Sequence, residues 1–156
     1  MKIIVITALL VFASFLSTTA QAKVCTMVTL GSSDIVPHGD RNLSLIAIER
    51  CDGTVKGQIQ DVFFGGVSAH VDVTCLFVDG NDAWISGTIK HLNPAAFFPD
   101  FSGFPVVIRV RDNGKTANDP PDQVSFLTNG EDPLQDCLDM LDLPLFDLSN
   151  GQVQIR

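Results

Sequence analysis

Six aspartates, Asp52, Asp79, Asp82, Asp112, Asp119 and Asp122, stand in or beside turn sequences such as Asp79-Gly80-Asn81-Asp82 and Asp112-Asn113-Gly114. Carboxylate oxygens drawn from separate turns suit calcium, a hard cation that takes six to eight oxygens. Asp79, Asp82, Asp112 and Asp122 are the metal-ligand candidates, and Ca²⁺ is the one cofactor the residues suggest. Aspartate is also a turn residue in its own right, because its side chain bonds the backbone two positions on. No D-x-[DN]-x-[DN]-G loop is present. The expectation is a chain that needs no cofactor.

His70 and His91 raise zinc. A two-residue hairpin loop at Gly80-Asn81 sets them opposite each other, but it also sets Val73 against Thr88 and Cys75 against Ser86, mixing the two faces. A three-residue loop keeps Val73 and Cys75 beside Gly87 and Ile89. The apolar pattern therefore predicts the longer loop, a broken histidine pair and no zinc site. Gly-x-Ser-x-Gly, His-Glu-x-x-His and glycine-rich phosphate loops are all absent, so no catalytic constellation is expected. With no tyrosine and the single tryptophan Trp84, the chain offers little aromatic platform for sugars.

Cys25, Cys51, Cys75 and Cys137 form an even set without C-x-x-C spacing, which reads as two disulfides. Cys51 closes one strand at the end toward which the strand of Cys75 runs, favouring Cys51–Cys75 with Cys25–Cys137; Cys25–Cys51 is the main rival. Closing the loop between Cys25 and Cys137 would constrain the unfolded chain by about 4–5 kcal/mol.

These residues sit on strand-length segments at 43–50, 54–62, 68–78, 83–91, 105–111, 123–127 and 152–156, with a further strand at 23–30 and loop material from Gly31 to Arg41. Apolar residues recur with period two, as in Val71, Val73, Cys75, Phe77 and in Val106, Ile108, Val110. Short connections make consecutive strands antiparallel neighbours. The fold class is all-β: an up-and-down meander of seven or eight strands forming a barrel or a strongly curved sandwich. Gly57 and Gly87, mid-strand and in phase with apolar neighbours, permit sharp bends. One short helix is expected near 133–141, with Asp132 as N-cap, Pro133 at the first position and Leu134, Cys137, Leu138 and Leu141 on one stripe.

An up-and-down order sorts the loops between two ends. The aspartates gather at one. At the other gather Phe63, Phe64, Phe97, Phe98, Phe101 and Phe104, the last four in the proline-bearing connection after residue 92. Phe97, Phe98, Phe101 and Phe104 are the candidate contact surface, either plugging the barrel end or forming an apolar mouth.

Lys2, the apolar run from Ile3 to Leu16 and Ala20-Gln21-Ala22 read as a secretory signal, residues 1–22, leaving a single β domain at 23–156. The run is shorter than the roughly 20 residues a bilayer needs, so no membrane span is expected. Of 10 Lys and Arg one is Lys2 of the leader; the remaining 9 face 18 Asp and Glu, a net −9. A surface this acidic repels phosphate backbones and anionic lipid, against nucleic-acid or membrane-surface roles. Asn42-Leu43-Ser44 is a glycosylation sequon in a eukaryotic host.

From Val55 onward the chain carries Gly57-Gln58-Ile59, Asp79-Gly80-Asn81-Asp82-Ala83-Trp84-Ile85-Ser86-Gly87, Val110-Arg111-Asp112-Asn113-Gly114 with Asp122 and Phe126, and a closing Asn150-Gly151-Gln152-Val153-Gln154-Ile155-Arg156. This pattern resembles a secreted bacterial domain known as the post-COAP domain. The resemblance implies an exported all-β domain and carries no activity with it. The long hairpin at Lys115 to Pro121 and the segment 128–149 depart from that pattern. The expected role is a secreted, extracellular or periplasmic, non-enzymatic module, structural or partner-binding at the cell surface. The alternative is a lipocalin-like carrier of a small apolar ligand, and the partner is accordingly a protein or such a ligand.

Overall fold

The structure, a computed structural model, describes residues 22–35, 41–63, 66–93, 101–116 and 118–156. The expected leader, apart from Ala22, and Phe64, Phe97 and Phe98 lie outside the described residues.

Among the described residues nine strands and one helix follow in the order β1 (Val24–Ile35), β2 (Asn42–Arg50), β3 (Val55–Val62), β4 (Ser68–Asp79), β5 (Asp82–Asn93), β6 (Pro105–Arg111), β7 (Gln123–Val124), β8 (Thr128–Asn129), α1 (Pro133–Leu138) and β9 (Phe146–Ile155). Each of β1 to β6 pairs antiparallel with its successor; β7 then links β6 to β9, and β9 returns to β1. Eight strands thus close an antiparallel barrel, with β8 as an extra partner of β6. Closure leaves no long open edge.

The interior is layered. Val153, Leu30, Leu45, Ile59, Val71 and Ile89 stand abreast on six neighbouring strands, each nearly or fully buried. Beside them run Val28, Ala47, Gly57, Val73, Gly87 and Val106. Two glycines in this row have a steric reason. A Cβ on Gly57 would overlap the Ile46 carbonyl, and one on Gly87 the Asp72 carbonyl, so their absence lets coiled strands approach closely.

The first and last strands exceed their expected lengths. Gly31, Ser32 and Ser33 read as loop by type, yet they pair with β2 on one side and β9 on the other. Two neighbouring strands override weak local propensity. The helix ends at Leu138 rather than residue 141, and Met140 takes a φ of 49° just beyond it. Its start follows expectation: Asp132 accepts from the backbone N–H groups of Leu134 and Gln135, ahead of Pro133.

The β4–β5 hairpin corrects the predicted register. Asp79 pairs with Asp82 around a two-residue Gly80-Asn81 loop, and Gly80 has a φ of 61°, as its first position favours. Cys75 faces Ser86, but Val73 faces Gly87, so Thr74 is an extra residue on β4. This bulge satisfies both demands that the sequence set against each other. The two-residue turn is kept, and Val71 and Val73 stay inside. Cys75 and Phe77 pass to the outer face, where they join Trp84 and Cys137 in a separate apolar cluster.

The disulfides are Cys25–Cys51 and Cys75–Cys137, correcting the favoured pairing. Val24 lies opposite Arg50, and the Cys51 N–H donates to the Lys23 carbonyl, so Cys25 is fixed beside Cys51 by strand pairing. Cys75, turned outward by the bulge, meets Cys137 of α1. The helix lies across β4, β5 and β6, and the Ser86 hydroxyl donates to the Pro133 carbonyl beneath it.

Candidate binding site at the barrel mouth

The described phenylalanines Phe63, Phe101 and Phe104 lie at the end where β3 and β5 finish and β4 and β6 begin. Among the described residues the interior is not filled here. A cavity of about 300 Å³ is lined by Phe63, Val67, Ala69, Ile89, Leu92, Phe101, Val106, Leu127 and Asn129. Ala69, Ile89, Leu92 and Val106 are buried, inward-facing strand residues, so the cavity continues the barrel core toward this end. Phe101 and Phe104 meet edge to face with ring centres 5.6 Å apart; Phe101 packs against the core while Phe104 remains exposed.

Beside this cavity Arg41 and Asp61 are fully buried. Asp61 stands in the inward row Leu43, Asp61, Ala69, Leu92. Arg41 Nε donates to Asp61 Oδ1 at 2.8 Å, a second guanidinium nitrogen to Oδ2, and the third to the Ser125 carbonyl at 3.4 Å. Phe63 and Phe126 both present their rings to the guanidinium, with centres 5.2 and 5.0 Å from its carbon. Burial pushes the Asp61 carboxyl up from its ordinary range, against the pull of the Arg41 guanidinium. Phe63 is therefore shared: it walls the cavity and covers the ion pair. Sequence reading missed this pair. Its signal was Asp61 itself, an acid in phase with inward Ile59, which demands a buried cation.

The acidic end holds different chemistry from that expected. Asp82 Oδ1 accepts from Nε of both Arg109 and Arg111, each at 3.0 Å, and Oδ2 accepts from the Arg111 terminal nitrogen at 2.9 Å. Burial of Asp82 opposes ionisation, but the guanidiniums of Arg111 and Arg109 outweigh it and hold the carboxyl below its ordinary range. Asp122 accepts from the N–H groups of Asn113 and Val153, and Asp112 from those of Gly114 and Ile155. Asp79 is exposed at the hairpin. Among the described residues no group of three or more His, Cys, Asp or Glu is placed to hold a metal ion. Trp84 is buried on the outer face, its Nε1 donating to the Leu141 carbonyl and Arg109 stacked over its ring, so it offers no platform for a sugar.

No family model, curated protein or solved structure matches this chain. No described helix is long and apolar enough to cross a membrane.

Proposed function

We propose that this chain is a secreted, non-enzymatic binding module whose barrel mouth receives a small apolar ligand. The observation that carries the reading is the cavity at the mouth: among the described residues it is walled by the inward-facing Ala69, Ile89, Leu92 and Val106 and is not filled by side chains. Leaving such surface uncovered forfeits dispersion contacts and hydrophobic stabilisation. About 300 Å³ lies at the lower end of ligand pockets, which run from about 300 to 1,000 Å³. The occupant is accordingly one ring or a short aliphatic chain. Two disulfides suit an oxidising compartment outside the cytoplasm. A purely structural module is the rival, favoured by the filled layers beneath the cavity. Thermal unfolding in the presence of single-ring hydrocarbons separates them: a ligand held in the mouth raises the melting temperature by mass action, and a structural plug leaves it unchanged.

A further inference from the structure

The outer face of the barrel carries a second, larger concavity of about 580 Å³, lined among others by Gln60, His70, Asp72, Lys90 and His91. Its lining mixes polar and apolar residues, and it shares none of them with the mouth. The bulge at Thr74 takes one residue out of register, and a second irregularity between His70 and Val71 restores it, leaving Lys90 as the extra residue on β5. The result is that His70 stands directly opposite His91, the pairing that the apolar pattern predicted to be broken. Gln60 continues the same line on β3. The two imidazole rings lie 6.3 Å apart, centre to centre, with their planes inclined by 39°.

We propose that His70 and His91 form a two-histidine chelate for one divalent transition-metal ion of the zinc, copper(II) or nickel class. Two imidazoles bound at about 2.0–2.1 Å to one ion have ring centres about 4.5–5.2 Å apart for angles at the metal between square-planar and tetrahedral. The pair stands about 1 Å wider than that in the free protein, so binding requires the two side chains to rotate toward each other across the strand pair. Imidazole nitrogen selects these ions over calcium and magnesium, which prefer oxygen. Among the described residues this face offers two histidines, and water fills the remaining positions. Asp72, a carboxylate lining the same concavity, is engaged by Lys90 Nζ at 3.2 Å. His70 is half-buried between β3 and β5, which restricts its rotamers and lowers the ordering cost of chelation.

Calorimetric titration with zinc chloride tests the site, together with copper(II) electron paramagnetic resonance and side-chain NMR of the histidines. The expected result is one equivalent of zinc, with affinity at least about tenfold lower in both His70→Gln and His91→Gln. Copper should show two nitrogen ligands in the parent and one in each variant. In the unmodified protein zinc should shift the imidazole resonances of His70 and His91 together. Absence of zinc binding, unchanged affinity in either single variant, or retention of the ion by the double variant would overturn the assignment.

Discussion

The carboxylate of Asp122 closes the barrel by accepting a hydrogen bond from the backbone N–H of Val153 at 2.7 Å. The seam between β7 and β9 has only two residue pairs, Gln123 with Asp147 and Val124 with Phe146. Beyond them, the N–H groups of Val153 and Ile155 point away from β1 and are met by the side chains of Asp122 and Asp112. Two aspartates that read as calcium ligands instead stand in for the carbonyls of an absent neighbouring strand. Replacing Asp122 with Ala strips partners from the Val153 and Asn113 N–H groups. The expected cost is about 1–3 kcal/mol for each buried donor left unpaired, read by urea denaturation, with faster amide exchange at Val153 than at Leu45.

The buried Arg41–Asp61 pair gives a second prediction. Arg41→Met leaves an uncompensated carboxylate inside the barrel and should destabilise it by about 3–5 kcal/mol. Adding Asp61→Leu removes that carboxylate and should recover most of the loss. Equilibrium unfolding of the two variants checks the order; a double variant no better than the single one contradicts it.

Acid sensitivity follows from Asp82. Its carboxyl is held below the ordinary 3.8 by Arg111 and Arg109 despite its burial. A depressed folded-state pKa stabilises the fold fully above the unfolded value, and the contribution disappears as pH falls through the folded one. Asp82→Asn should therefore lower the melting temperature at near-neutral pH, and the gap from the parent should shrink as pH falls below 3.8. A gap of constant size across that range argues against the account.

The disulfides should differ in weight. Cys75–Cys137 spans 62 residues and Cys25–Cys51 spans 26. Loop-closure entropy assigns them about 4.3 and 3.5 kcal/mol. Removing the first as a Cys75→Ser, Cys137→Ser pair also frees α1 from the sheet and exposes Trp84. Its fluorescence should shift to longer wavelength in that variant and stay unchanged when Cys25 and Cys51 are replaced.

What was legible in the sequence divides along physical lines. The strands from Asn42 to Arg111 follow period-two burial and glycine-marked turns, both local signals, and their up-and-down order follows from short connections. That sorted Asp82 and Phe63 correctly to opposite ends. The bulge at Thr74 was not legible, because nothing in Val73-Thr74-Cys75 states how strain is divided between a turn and a sheet. The Cys75–Cys137 bridge depends on that bulge, and Cys25–Cys51 on the pairing of β1 with β2 that sets Val24 opposite Arg50. Arg41 lay in what read as loop; the β2–β3 pairing brings it to Asp61, and the closed barrel brings it to Ser125 and Phe126.

The mouth is tested most directly by NMR of the backbone amides during titration with toluene, in the parent and in Ala69→Leu. Ala69 faces the cavity and is almost fully buried, so the added side chain fills the space a ligand would take. The account predicts saturable shifts confined to residues around Phe63, Val67, Ile89 and Leu92 in the parent, and their loss in a variant whose melting temperature is unchanged or raised. Shifts that are absent from the parent, or that persist in the folded variant, would contradict an apolar ligand site at the barrel mouth.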